Sequence, residues 1–224
     1  MIQPKLLFVI FYVLATSLLV ATPQAENPGT GVTHVQTDTV ECDHPPLRSQ
    51  SAVSVSPTGN RVLAEVETRL EPGNKQGESH CHTRWLLHVA PRRANFETIT
   101  VGERDNGAEY QNSFEIIVWS QDGGRLLAAQ VVAGGDWDET TPVVYDFASK
   151  QVWSVKLIDV FKQIAAADCL LSFRPNGFAS DGRVRIEVGL MDASDLAPGE
   201  KPCFAKSMWL LDYKTKKVSR EKVE

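Results

Sequence analysis

The fold class is decided by an alternating stretch near the C-terminal end of the chain, RVRIEVGL at residues 183–190. Val184, Ile186 and Val188 alternate there with charged residues. In a β-strand this spacing puts the apolar side chains on one face and the charged ones on the other. Residues 62–67, VLAEVE, repeat the period of two earlier in the chain. The sequence therefore predicts an all-β domain whose strands are buried on one face.

The strands recur in a fixed order around short turns that contain glycine. Glycine permits the positive φ that such turns need. The predicted turns are Ser56-Pro57-Thr58-Gly59, Ser120-Gln121-Asp122-Gly123 and Arg174-Pro175-Asn176-Gly177. A second element recurs later, since WLLD at 209–212 matches WLLH at 85–88, and DYKTKKV at 212–218 matches DFASKQV at 146–152. These matches predict three repeats of about four strands, at 52–112, 113–168 and 169–224.

The order of strand, Ser-Pro-x-Gly turn, strand and aromatic-x-x-Asp motif resembles the blade repeat of TolB-type and related WD-like β-propellers. The resemblance implies that each repeat is a four-stranded blade. Because closed propellers have four to eight blades, three repeats imply an open or partial β-propeller. The residues of this family that match here build blades, so the resemblance implies no active site.

One short helix is expected between the second and third repeats. Leu157, Phe161 and Ile164 fall on a single face there, together with Ala165, which predicts a helix over 158–167.

The N-terminus has the pattern of a secretory signal peptide, residues 1–25. Lys5 is its only charge, and the 16 apolar or small residues from Leu6 to Ala21 end in a polar region. As a helix those residues would span about 24 Å, which is short for a hydrocarbon core of about 30 Å, although an uncleaved anchor is the alternative. We expect cleavage after Ala25, an extended lead-in at 26–51, and a periplasmic or secreted protein with no stable membrane insertion.

The four cysteines all lie in the exported part, and their even number predicts two disulfide bonds. Four cysteines allow three pairings. We favour Cys42–Cys81 and Cys169–Cys203. Each disulfide bond would then link the third strand of a repeat to a segment near the start of the same repeat. Free or metal-binding thiols are the alternative, but no Cys-x-x-Cys spacing supports them.

Charge excludes one class of partner. Without residues 1–25 the chain has 22 basic and 28 acidic residues, a net charge of −6, with the signs interspersed. A mildly acidic protein without a basic stripe is a poor candidate for binding nucleic acid.

Two acidic segments are the candidate binding sites, Ala133–Thr141 and Met191–Pro202, each expected to be a loop joining strands of its repeat. Both would project from the same side and form a negative rim suited to a basic protein partner. The first segment alone has enough carboxylates to be considered for calcium. The candidate residues are Asp136, Trp137, Asp138, Glu139, Asp192, Asp195 and Glu200.

The histidines give an alternative site. His80 and His82 flank Cys81, and His44 follows Cys42 by two residues, so the predicted disulfide would bring the three imidazoles together. Such a cluster is a candidate zinc or copper site and would serve a metal-dependent hydrolase. Because the spacing matches no recognised ligand motif, we expect no cofactor and no stoichiometric metal.

The sequence lacks a Gly-x-Ser-x-Gly nucleophile elbow, and no catalytic residue is predicted. We therefore expect a non-enzymatic binding module of the cell envelope, a monomer whose partner is another envelope or extracellular protein. The alternatives are the metal-dependent hydrolase and a small exported inhibitor or immunity-type protein.

Overall fold

A computed structural model of the protein describes residues 34–72, 79–135, 137–166, 169–191 and 203–222. The predicted signal peptide lies outside these residues. The described chain forms three antiparallel sheets and one short helix, α1 (Leu157–Phe161). The predicted all-β fold of three propeller-like four-stranded repeats is confirmed.

Each sheet is a meander of four consecutive strands, and two sheets gain strands from the N-terminal segment. The first sheet contains β2 (Arg48–Gln50), β3 (Ser54–Val55), β4 (Arg61–Pro72), β5 (Ser79–Ala90) and β6 (Glu97–Asn106). The middle sheet contains β1 (Val35–Gln36), β7 (Gln111–Trp119), β8 (Arg125–Gly134), β9 (Trp137–Asp146) and β10 (Gln151–Ser154). The third sheet contains β11 (Leu171–Phe178), β12 (Val184–Leu190), β13 (Ser207–Asp212) and β14 (Lys217–Arg220).

The middle sheet is buried on both faces. In β8, Leu126 and Ala128 belong to the core shared with the first sheet, whereas Leu127 and Ala129 belong to the core shared with the third sheet. Apolar side chains on both faces explain why residues 126–129 of β8 form a continuous apolar run instead of alternating. The three sheets therefore stack in the order first, middle, third.

The outer sheets bury one face and turn a charged face to solvent. In the third sheet Val184, Ile186 and Val188 are fully buried. On the opposite face Arg185 contacts Glu221 at 2.9 Å. In the first sheet the outward Arg84 likewise contacts Glu67 at 2.8 Å. Both ends of the stack are thus closed by charged side chains, as the terminal units of repeat proteins require.

Three equivalent turns join the first and second strands of the repeats, but the third is not where the sequence placed it. The glycine amide donates to the carbonyl three residues earlier in each case: Gly59 to Ser56 at 2.9 Å, Gly123 to Ser120 at 2.8 Å and Gly182 to Ala179 at 2.9 Å. The predicted turn at 174–177 instead lies inside β11, where the register shifts between Pro175 and Gly177. Proline and glycine mark a β-bulge there, and a bulge has the same local composition as a turn.

The turns of neighbouring repeats touch one another. The Asn60 side chain donates to the carbonyl of Gly123 at 3.1 Å. One repeat further, the Arg125 guanidinium lies 5.4 Å from the ring centre of Phe178 and donates to the Tyr213 hydroxyl at 3.4 Å. The repeats are therefore related in space as well as in sequence.

Short strands of the N-terminal segment pair with one edge of the middle sheet and one edge of the first sheet. Strand β1 pairs with β7, and Val40 forms an isolated bridge with Asn112. Strand β2 pairs with β4. In the third sheet, no further strand of the described chain pairs with the edge strand β11. Pro175 and the β-bulge interrupt that edge instead. Both devices limit pairing with foreign strands.

Both predicted disulfides are present, Cys42–Cys81 and Cys169–Cys203. Cys42 and Cys81 are buried, 3% and 0% exposed. The first bond fastens the N-terminal segment to β5, and the second fastens the start of β11 to the segment before β13.

The helix is shorter than the sequence predicted. It ends at Phe161, and the chain continues as turns in which the amides of Ile164 and Ala165 both donate to the Phe161 carbonyl. Only Leu157 and Phe161 of the helix are buried. Within the described ranges, no helix is long and apolar enough to cross a bilayer.

Candidate functional site

An apolar groove lies between the start of β9 in the middle sheet, α1, and the start of β11 in the third sheet. It encloses about 450 Å³, which falls within the size range of ligand pockets. We call it the β9–α1–β11 groove. Its apolar lining includes Trp137, Ile158, Phe161, Ala165, Leu170, Leu171, Phe173 and Met191, and its polar lining includes Asp138, Glu139, Thr140 and Lys162.

The groove has a firm base and an exposed apolar rim. Phe161 is fully buried and packs against Phe173 at 5.2 Å and Trp209 at 5.1 Å between ring centres. Leu170 and Ile158 at the rim are 63% and 37% exposed. Exposed leucine and isoleucine beside an aromatic base form the kind of concave apolar surface that binds ligands or partner side chains.

Asp138 supplies an unbalanced negative charge at the mouth of the groove. It is exposed to solvent, yet the protein crowded around it partly desolvates its carboxyl, and this raises the pKa of Asp138 above its usual value. Among the described residues no cation lies within ion-pair distance of it. Lys162, which also lines the groove, is paired with Asp159 at 2.8 Å. A cation bound next to Asp138 would therefore offset the free-energy cost of keeping this partly desolvated carboxylate charged.

The predicted loop around Asp138 is wrong, because Trp137, Asp138 and Glu139 lie in strand β9. Trp137 is opposite Gly134 in the hairpin, and its ring packs edge-on against Tyr110 at 5.4 Å. It is half-buried, so it does not stand out as an exposed anchor. The glycines and acids of this segment resemble a loop in composition, but pairing with β8 makes it a strand.

Glu139 is used inside the protein. Its carboxylate accepts a hydrogen bond from Arg104 of β6 at 2.6 Å, which ties the middle sheet to the first sheet. The other predicted rim residues, Asp136, Asp192, Asp195 and Glu200, lie outside the described residues. Of the seven candidates, Asp138 is the one that the structure places at the groove with its charge available.

The three candidate metal ligands do not form the predicted cluster. His44 contacts Asp43 at 2.8 Å and Glu41 at 3.3 Å. His80 and His82 lie on β5, where both face Asp105 of β6. In the described part of the chain, the group whose ligand atoms all lie within 4.8 Å of one another is Glu41, Asp43 and His44.

Sequence reasoning missed the apolar part of the groove, because its walls come from three separate segments with no shared local pattern. One signal was available: Leu170 immediately follows Cys169 in a pair of leucines that breaks the alternation of β11.

A buried carboxylate on the first sheet also escaped the sequence. Glu65 is fully buried on the outward face of β4, where Arg48 contacts it at 2.5 Å, His88 contacts it at 2.8 Å and Gln50 donates a hydrogen bond to it. Burial raises the pKa of Glu65, but the hydrogen bonds from Gln50 and His88 and the charge of Arg48 outweigh it, so the pKa lies below its usual value.

This network predicts an acid-dependent loss of stability. A carboxyl whose pKa is lowered by folding contributes stability that is present above its unfolded pKa and is lost as the pH falls through its folded pKa. We expect Glu65→Gln to lower the free energy of unfolding near pH 7, and the gap to wild type to narrow below about pH 4.5. Urea unfolding from about pH 7 to about pH 3 measures it. A gap independent of pH would contradict the assignment.

Comparisons of the chain with models of protein families, with curated proteins and with solved structures find no match.

Proposed function

We propose that the protein is an exported, non-enzymatic binding module that holds an apolar segment of a partner protein in the β9–α1–β11 groove. The segment would carry a lysine or arginine next to an aliphatic or aromatic residue. The observation that carries the proposal is the combination of an open apolar groove with Asp138 at its mouth.

Charge complementarity supports this choice of partner. Asp138 is the groove carboxylate that has no cationic partner among the described residues. A ligand with a positive group beside Asp138 would therefore gain a favourable electrostatic interaction. In the sequence, Asp136, Asp192, Asp195 and Glu200 add negative charge to the adjoining segments. Electrostatic attraction of this kind favours a basic partner over an acidic one.

Two disulfides support an oxidising compartment, in which we place the protein as periplasmic or secreted. The resemblance of the repeats to TolB-type blades is part of the same proposal and favours the periplasm. The charged outer faces of the first and third sheets support a monomer, because stacking a further sheet would bury paired charges at a desolvation cost.

Two matched probes test the proposal. They are N-acetylated tripeptide amides, leucyl-phenylalanyl-lysine and leucyl-phenylalanyl-glutamate, titrated into the mature protein and followed by NMR. We expect the lysine peptide to bind about fivefold more tightly, the effect of a partly exposed ion pair worth about 1 kcal/mol. Asp138→Asn should remove that preference, and so should lowering the pH until Asp138 is protonated.

Apolar contact is tested separately. Leu170→Glu should weaken binding of both peptides, because it places a charge on the apolar rim. Ile164→Glu is the matched control, since Ile164 is 43% exposed on the turn after α1 and lines a different cavity. Equal binding of the two peptides, or equal effects of the two glutamate variants, would refute the proposed groove.

A further inference from the structure

The geometry points to a zinc site on the outward face of the first sheet, formed by His80, His82 and Asp105. It is independent of the groove, and it replaces the expectation from the sequence that the protein binds no metal. The sequence pointed to His80 and His82 but not to Asp105 as their partner. The carboxylate comes from a neighbouring strand, 23 residues away from His82.

Strand register brings the ligands together. His80 and His82 are two apart on β5 and therefore point to the same face. His82 lies directly opposite Asp105 of β6, and His80 lies directly opposite Glu71 of β4. Three adjacent strands thus contribute imidazole and carboxylate groups to one patch of the sheet.

Two of the three separations are close to those of ligands that share an ion. One Asp105 oxygen lies 2.9 Å from Nδ1 of His82 and 4.0 Å from Nε2 of His80. Nε2 of His80 is also 3.7 Å from Glu71. With metal–ligand bonds of 2.0–2.2 Å, tetrahedral ligands are about 3.3–3.6 Å apart. The ring nitrogens of His80 and His82 lie more than 4.8 Å apart, so these partly exposed side chains must rotate toward each other for all three residues to bind one ion.

The nearby arginines are paired with carboxylates other than Asp105, so Asp105 interacts with the two histidines. Arg69 is paired with Glu71 at 2.6 Å, so Glu71 is at most an outer partner. Arg84 is paired with Glu67 at 2.8 Å and lies 3.3 Å from Glu103. Neutral imidazoles and a carboxylate are ligands that zinc prefers.

The disulfide holds this patch in place. Cys81, between the two histidines, points to the opposite face and is bonded to Cys42. A strand fixed at its centre keeps the two imidazoles at a constant spacing, which reduces the ordering cost of binding a metal.

The test is titration of the untagged mature protein with Zn²⁺ by calorimetry near pH 7. We expect one Zn²⁺ per chain, with His80→Ala and His82→Ala each weakening binding by at least about tenfold and Asp105→Asn by about tenfold or more. His34→Ala and His44→Ala are the controls and should change affinity less than about twofold. His34 is an exposed histidine paired with Glu115 at 2.7 Å, and His44 belongs to the other candidate group.

Circular dichroism of each variant checks that its fold is retained. Binding that is absent in the wild type, or that is lost with His44→Ala and kept with His80→Ala and His82→Ala, would overturn the proposal. Neither outcome bears on the peptide-binding groove, which uses none of these residues.

Discussion

Replacing Leu126 or Leu127 of β8 with alanine, one at a time, is expected to lower the free energy of unfolding by about 2–5 kcal/mol in each case. The two residues are adjacent and both fully buried, but they belong to different cores. Because the two side chains share no core, the double variant should lose about the sum of the two effects. That sum is comparable to the whole stability of an ordinary domain, so the double variant is expected to unfold at room temperature.

The third sheet offers a matched pair with the opposite expectation. Ile186→Ala should cost as much as either leucine, whereas its neighbour Arg185→Ala should change stability by less than about 1 kcal/mol, since Arg185 has only an exposed ion pair. Urea unfolding curves of the five variants measure these differences. If only one of Leu126→Ala and Leu127→Ala lowered the free energy of unfolding, as expected for Ile186→Ala against Arg185→Ala, the middle sheet would not be buried on both faces.

Removal of the Cys42–Cys81 bond in a double alanine variant is expected to lower stability by about 4 kcal/mol. The two cysteines are 39 residues apart, and the bond restricts the unfolded chain by closing that loop. It also holds a segment whose other attachments are short: the two- and three-residue strands β1 and β2 and the isolated bridge between Val40 and Asn112.

That second role gives a separate readout. Limited proteolysis should cut the double variant before residue 48 faster than wild type, while the Cys169–Cys203 double alanine variant should keep the wild-type rate there. A loss of stability below about 1 kcal/mol, with no change in N-terminal cleavage, would mean that strand pairing alone holds the segment.

The sequence predicted the half-buried strands of the outer sheets better than the strands of the middle sheet, although it misplaced the turn of the third sheet. Strands such as 184–190 face solvent on one side, so their composition records which face is buried. In the middle sheet both faces are apolar, and the signal is a run that a buried helix would share. The disulfide pairing was predictable because it follows from the order of the repeats.

The candidate site was less accessible to sequence reasoning. The glycines before Asp138 and Glu139 predict a loop, although cross-strand pairing with β8 places both acids in a strand. The groove depends on α1, β9 and β11 meeting in space, which no local pattern encodes. The fold of repeated strands could therefore be predicted, but the surface on which they converge could not.

Strand β1 adds a constraint on the timing of folding. Val35 pairs with Ile116, so a chain that enters its folding compartment N-terminus first exposes Val35 until the first repeat and β7 have followed it. The first sheet can form its own hairpins during that interval, because β4, β5 and β6 follow one another directly. Pairing with β7 is thus the step that orders β1, the earliest strand of the described chain.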